Sequence, residues 1–205
     1  PVLFLMGGPA ALAALLDSGL LPHRMLFLAR PPDEPALRRC YEVDYVALML
    51  RMRVTESTFR PSPVETHHTE PLDLSHAPAM QALLRQAAAH DARHLSDIAF
   101  EPGMVADGVY YGIFGGDELV AMAGTHLIAP TAGLAAVGNV VVRPDWRGRG
   151  LGGRVSSAVT QALFEAGIER VFLNVRQDNA PAIRVYTRLG YVTVCHFIEG
   201  VAERL

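Results

Sequence analysis

The chain has 205 residues, 18 basic and 21 acidic side chains, a formal net charge of −3 and 50% hydrophobic residues. Such a composition is globular and large enough to bury a core as one domain or two small ones. It lacks the basic excess of a nucleic-acid binder, and no apolar run reaches the ~20 residues that cross a bilayer.

In chain order, residues 2–6 read as a short buried strand, 9–20 as a helix with Pro9 in its first turn, and 24–30 as a second strand stopped by Pro31-Pro32. A short helix around 34–40 and a long strand over 42–54 complete a small amino-terminal α/β unit over 1–60. Pro61-Ser62-Pro63 is the expected boundary, because prolines stiffen and punctuate links. Beyond it come a strand near 64–71, a helix over 75–90, and an ambiguous stretch over 96–107. Residues 108–115 and 118–128 form a hairpin around Gly116-Asp117, and a turn from Pro130 to Gly133 leads to a third strand over 135–143. The pattern then changes to a helix at 150–166, a strand at 170–176, a helix at 180–189 and a last strand at 191–198. The expected class is α+β.

Cys40 and Cys195 do not make a disulfide framework and are expected to be reduced. The eight histidines are scattered, and His67-His68 has no partner ligands at zinc spacing, so no metal is expected. No basic segment precedes an apolar one at the amino terminus, which argues against a signal peptide and for a cytoplasmic protein; the start at Pro1 points to trimming.

The densest chemical signal is Arg147-Gly148-Arg149-Gly150-Leu151-Gly152, at a strand-to-helix turn. A helix start leaves N–H groups without partners and carries partial positive charge, so an anion settles there. Glycines let the backbone approach an oxygen, and Arg147 and Arg149 add charge-assisted bonds. All 18 basic residues are arginine. A codon bias accounts for that as well as anion recognition does, but it removes the lysine that a Walker nucleotide loop needs. A dinucleotide fingerprint fits poorly as well. The preceding strands read as an antiparallel meander, and no convincing acidic ribose ligand follows about 20 residues on.

Arg147-x-x-Gly150-x-Gly152, after a strand ending Val140-Val141-Val142-Arg143-Pro144, resembles the pyrophosphate loop of the GNAT superfamily of N-acetyltransferases. Asn179, Ala182, Tyr186, Gly190 and Tyr191 resemble that family's second motif. Asn179 as N-cap, Pro181 in the first turn and Gly190 at C′ also account for that helix on structural grounds alone. The resemblance covers roughly 64–198, and residues 1–60 suit the degenerate amino-terminal half that some members carry. It implies a mostly antiparallel central sheet flanked by helices, with the strands at 135–143 and 170–176 splayed around acyl-pantetheine.

Further implications concern the site. Backbone groups of Val140, Val141 and Val142 would bind the pantetheine, Arg147 to Gly152 the pyrophosphate, with Asn174, Asn179 and Ala182 nearby. Acetyl-CoA, or another acyl-CoA, would donate the acyl group to a small-molecule or peptide amine by direct attack. Tyr186 would protonate the departing thiolate. An alkyl ammonium of pKa near 10.4 costs about 4–5 kcal/mol to deprotonate at pH 7, so a base is wanted. The strand before the loop, Ala135-Ala136-Val137-Gly138-Asn139, carries no carboxylate where some members have a glutamate. His126, Glu101 and Asp107 are the candidates, and Asn139 suits substrate orientation. The acceptor pocket is expected around 75–110. A longer acyl chain and a non-catalytic acyl-CoA sensor are the competing readings; a homodimer is left open, and neither nucleic acid nor membrane is expected as a partner.

Overall fold

A computed structural model of the chain describes residues 1–63, 68–90 and 100–205. Its elements are β1 (Val2–Leu5), α1 (Pro9–Asp17), β2 (Arg24–Ala29), α2 (Glu34–Leu37), β3 (Tyr41–Thr55), β4 (Glu70–Pro71), α3 (Ala77–His90) and α4 (Gly103–Ala106), then β5 (Tyr111–Gly115), β6 (Glu118–Ala129), β7 (Leu134–Val142), α5 (Leu151–Glu165), β8 (Arg170–Arg176), α6 (Ala180–Arg188) and β9 (Val192–Arg204). The class is α+β. The strand expected over 64–71 is described at Glu70–Pro71, since 64–67 lie outside the described residues; in the ambiguous stretch, 96–99 lie outside them too and α4 is the described helix. No helix among the described residues is long and apolar enough to cross a membrane.

One unit consists of Pro1–Met52, Asn174–Ala180 and Thr193–Leu205. Its strands lie in the order β1-β2-β9-β3, with β1 and β2 parallel and β2 and β9 antiparallel. Helix α1 buries Leu12 and Leu16, one turn apart, in a core with Met25, Phe27, Leu37 and Tyr41. Strand β9 extends to Arg204 rather than ending at 198. Its pairing with β2 runs from Ala29↔Ile198 to Arg24↔Glu203 and carries it through Glu199-Gly200, where local propensity would stop a strand. Gly200 is required there: a Cβ would lie 2.3 Å from the Tyr45 carbonyl oxygen.

The other unit consists of Arg53–Leu173 and Pro181–Val192. Its strands lie in the order β8-β7-β6-β5-β4. The β4–β5, β5–β6 and β6–β7 pairs are antiparallel, and β7 and β8 are parallel. Helix α5 buries Leu151, Val155, Val159 and Leu163, an unbroken i, i+4 row, each contributing roughly 1.5–3 kcal/mol. Met80 and Leu83 of α3 pack with Tyr110, Met122 and Val141.

Candidate active site

Strand β7 passes through a 3-10 turn at Pro144–Trp146 into the glycine loop, and α5 starts at Leu151. Gly148 and Gly150 have φ of 79° and 77°, the left-handed region. A Cβ added to either would meet nothing within 4 Å, so the space beside both is clear. The Gly150 carbonyl accepts from the N–H groups of Gly153 and Arg154 at 3.1 and 3.3 Å, fixing the first turn; the N–H groups ahead of them have no intrahelical partner. Arg147 Nε donates to the Val142 carbonyl at 3.3 Å and Arg149 Nη2 to that of Asp145 at 3.4 Å. The Arg149 guanidinium also stacks 4.6 Å from the Trp146 ring centroid.

Arg143 takes up the acidic neighbours. It bonds both oxygens of Asp145 at 2.7 and 3.0 Å and Glu118 Oε2 at 2.5 Å. Its hydrogen bond holds the Asp145 carboxyl below the usual carboxylate range. Clear space, helix-start N–H groups and two arginines whose hydrogen bonds among the described residues go to main-chain carbonyls fit a diphosphate.

Upstream, β6 and β7 are each bulged. Met122 pairs with Val141 and Gly124 with Gly138, so Asn139 and Val140 together face Ala123. Thr125 pairs with Val137 and Leu127 with Ala136, which makes His126 the extra residue of β6. Asn139 has φ 50°, the one non-glycine at positive φ among the described residues. It is 0% exposed. Its Nδ2 donates to Tyr110 Oη at 3.1 Å, and Tyr110 Oη donates to the Thr125 carbonyl at 3.0 Å. With the phenol proton committed to Thr125, Asn139 must turn its N–H toward Tyr110, so the amide orientation is fixed. Among the described residues the buried Asn139 Oδ1 has no partner, at a cost of about 1–3 kcal/mol. Burial pushes the Tyr110 pKa up, and the bond from Asn139 opposes that. The exposed His126 lays its ring over Gly138, where a Cβ would come 2.2 Å from the imidazole Cε1. The ladder between β7 and β8 pairs Leu134–Val137 with Arg170–Leu173, while β7 continues to Val142.

Tyr186 is 7% exposed on α6, its ring 6.0 Å from that of Tyr191 and edge-on to it. Tyr191 Oη lies 2.7 Å from Thr160 Oγ1 on α5. A Cβ on Gly153 would be 3.4 Å from Val185 Cγ1, so α6 closes on the start of α5, behind the loop.

Residues 77–191 match the family profile described as the acetyltransferase (GNAT) family. The chain belongs to this family. Among curated relatives, the mycothiol acetyltransferase of Corynebacterium aurimucosum is 38% identical over 81 residues, covering 38% of this chain and 27% of that protein. That of Actinosynnema mirum is 40% identical over 86 residues, 42% of this chain and 28% of that protein. The matches thus span under a third of those relatives' length. A GNAT-family acetyltransferase structure from Novosphingobium aromaticivorans superposes with a TM-score of 0.71 at 26% identity, covering 98% of this chain and 84% of that one.

The loop, Val140 to Val142, His126, Asn139, Ala182 and Tyr186 fall in the second unit, and Asn174 and Asn179 in the first. Asn174 is exposed and its Oδ1 accepts from Arg51 Nε at 3.1 Å. Asn179 is half-buried, its N–H bonded to the Arg176 carbonyl at 3.0 Å. Val140, Val142 and Ala182 are half-buried, and Val141 is buried. Of the alternative bases, Glu101 and Asp107 are exposed, Asp107 at the carboxyl end of α4. Tyr110, Thr125 and Thr160 escaped the sequence reading, because their partners lie 15 to 31 residues away. Ser75, Val105 and Ala106, within the stretch 75–110 expected to take the acceptor, line a recess of about 530 Å³ together with Leu72 and Asp73, which precede it. Hydrogen bonds from Ser75 and His76 hold the Asp73 carboxyl below the usual carboxylate range.

Proposed function

We propose that this GNAT protein transfers an acetyl group from acetyl-CoA to a primary amine by direct attack. The observation that carries this reading is the glycine loop, whose two left-handed glycines border clear space at the start of a 15-residue helix. Arg147 to Gly152 would hold the pyrophosphate and the Val140–Val142 backbone the pantetheine. The donor supplies an activated acyl group as a thioester. The Val140 N–H stabilises the oxyanion, and Tyr186 donates a hydrogen bond to the departing sulfur. Full proton transfer from a phenol near pKa 10 to a thiolate near 8.5 is uphill by roughly 2 kcal/mol, so hydrogen bonding suffices. His126, exposed and over Gly138 beside the β7 bulge, would take the amine's proton. The recess at Asp73 suits a cationic acceptor.

Calorimetry and thiol release test this. Wild type binds acetyl-CoA, and Gly150→Glu does not, since it sets a carboxylate and a strained backbone in the cradle. Tyr186→Phe keeps the affinity and slows turnover by about 10²-fold. Unchanged affinity in Gly150→Glu would show the cradle to be elsewhere. Tight CoA binding with no turnover across an amine panel would favour a non-catalytic sensor.

A further inference from the structure

The left-handed backbone at Asn139 would be met by glycine without strain. Asparagine there instead seals an amide in the core with its oxygen unanswered among the described residues. What the amide does is bond Tyr110, and Tyr110 bonds the main-chain carbonyl of Thr125, next to the β6 bulge. Thr125 Oγ1 in turn accepts the Val109 N–H at 3.0 Å. These bonds tie the β7 bulge, the segment entering β5 and the β6 bulge into one brace. The chain makes room for it: a Cβ on Gly124 would fall 2.0 Å from the Tyr110 ring and one on Gly108 2.8 Å from it.

We propose that Tyr110 and Asn139 are positioning residues, which hold the β7 bulge so that the Val140 N–H is aimed at the acyl carbonyl of the bound thioester. This rests on reading Val140–Val142 as the thioester-binding segment. A bulge re-aims the groups around it, and a hydrogen bond weakens steeply as its angle closes. An untethered bulge therefore spreads the N–H over poorer geometries. Neither side chain needs to touch the acyl group, because both act through the backbone between Asn139 and Val140.

The test compares calorimetric affinities for acetyl-CoA and for CoA. A bond to the acyl carbonyl makes wild type prefer acetyl-CoA by about 3- to 10-fold, the size of one net hydrogen bond. Asn139→Gly keeps the left-handed backbone and removes the amide; Tyr110→Phe keeps the ring and removes the hydroxyl. In each the affinity for CoA is retained and the preference for acetyl-CoA falls toward unity. A role in packing alone would lower the melting temperature without moving that ratio. If Tyr110→Phe does not fold, Asn139→Gly decides. Folded variants that keep the wild-type preference overturn the brace, and a wild type without any preference overturns the aim of the Val140 N–H. A wild type that binds no CoA overturns the reading of the glycine loop, a different failure.

Discussion

The Thr160 hydroxyl serves two partners at once. It donates to the Ser156 carbonyl at 2.7 Å, so the Tyr191 hydroxyl must donate to it, also at 2.7 Å. Both residues are buried, so neither bond has a water to replace it. Tyr191→Phe removes a donor and leaves the Thr160 bond to Ser156 in place, for a loss of about 0.5–1.5 kcal/mol. Thr160→Val strands the Tyr191 hydroxyl in the core and costs more, about 1–3 kcal/mol. Urea denaturation of the two variants measures the order; a smaller loss in Thr160→Val would show that the phenol finds another acceptor. Tyr191 was legible in the sequence as a motif position, while Thr160 was not. Nothing in Ser156-Ser157-Ala158-Val159-Thr160 marks which hydroxyl turns inward to meet a residue 31 positions away.

Helices α5 and α6 end in the same device. After α5, Ile168 N–H bonds the Leu163 carbonyl and Gly167 N–H that of Phe164; after α6, Tyr191 N–H bonds the Tyr186 carbonyl and Gly190 N–H that of Thr187. Gly167 and Gly190 have φ of 83° and 93°. Their surroundings differ: a Cβ on Gly167 meets nothing within 4 Å, whereas one on Gly190 would lie 2.0 Å from the Thr58 carbonyl oxygen. Gly167→Ala should cost only the left-handed strain, about 1 kcal/mol. Gly190→Ala must also push a backbone carbonyl aside and should exceed 2–3 kcal/mol, with a loss of turnover as the end of Tyr186's helix shifts. Equal melting temperatures for the two variants would refute the contrast. Element ends of this kind are local chemistry, which is why Gly190 at C′ and the helix over 180–189 could be read in advance. The bulges could not: Ala135 to Val142 reads as one strand with Gly138-Asn139 inside it, and a register shift belongs to a pair of strands. For the same reason the glycine loop was legible within the site, and the Tyr110 brace was not.

At the scale of the whole molecule, the absence of lysine makes alkaline stability unusually simple to interpret. Lysine normally titrates near pH 10.4, on top of tyrosine near 10, while arginine stays charged. All 18 basic residues here are arginine, so that overlap is gone. Tyr110 and Tyr191 have their pKa raised, in each case chiefly by burial. A hydroxyl that keeps its proton to higher pH in the folded state than in the unfolded one stabilises the fold fully below pH ~10. Above that the unfolded chain releases its proton while the folded one keeps it, so stability falls as pH rises, and for the deeply buried Tyr191 the slope approaches about 1.4 kcal/mol per pH unit. Wild type should therefore lose about 1 kcal/mol more than Tyr191→Phe between pH 10 and 11, while the two curves run parallel between pH 8 and 9. The difference between the curves cancels every titration the two proteins share. Urea midpoints at half-unit steps measure it. Curves that stay parallel through pH 11 would mean that Tyr191 ionises as readily in the folded protein as in the unfolded chain, and that the Thr160–Tyr191 pair is open to solvent.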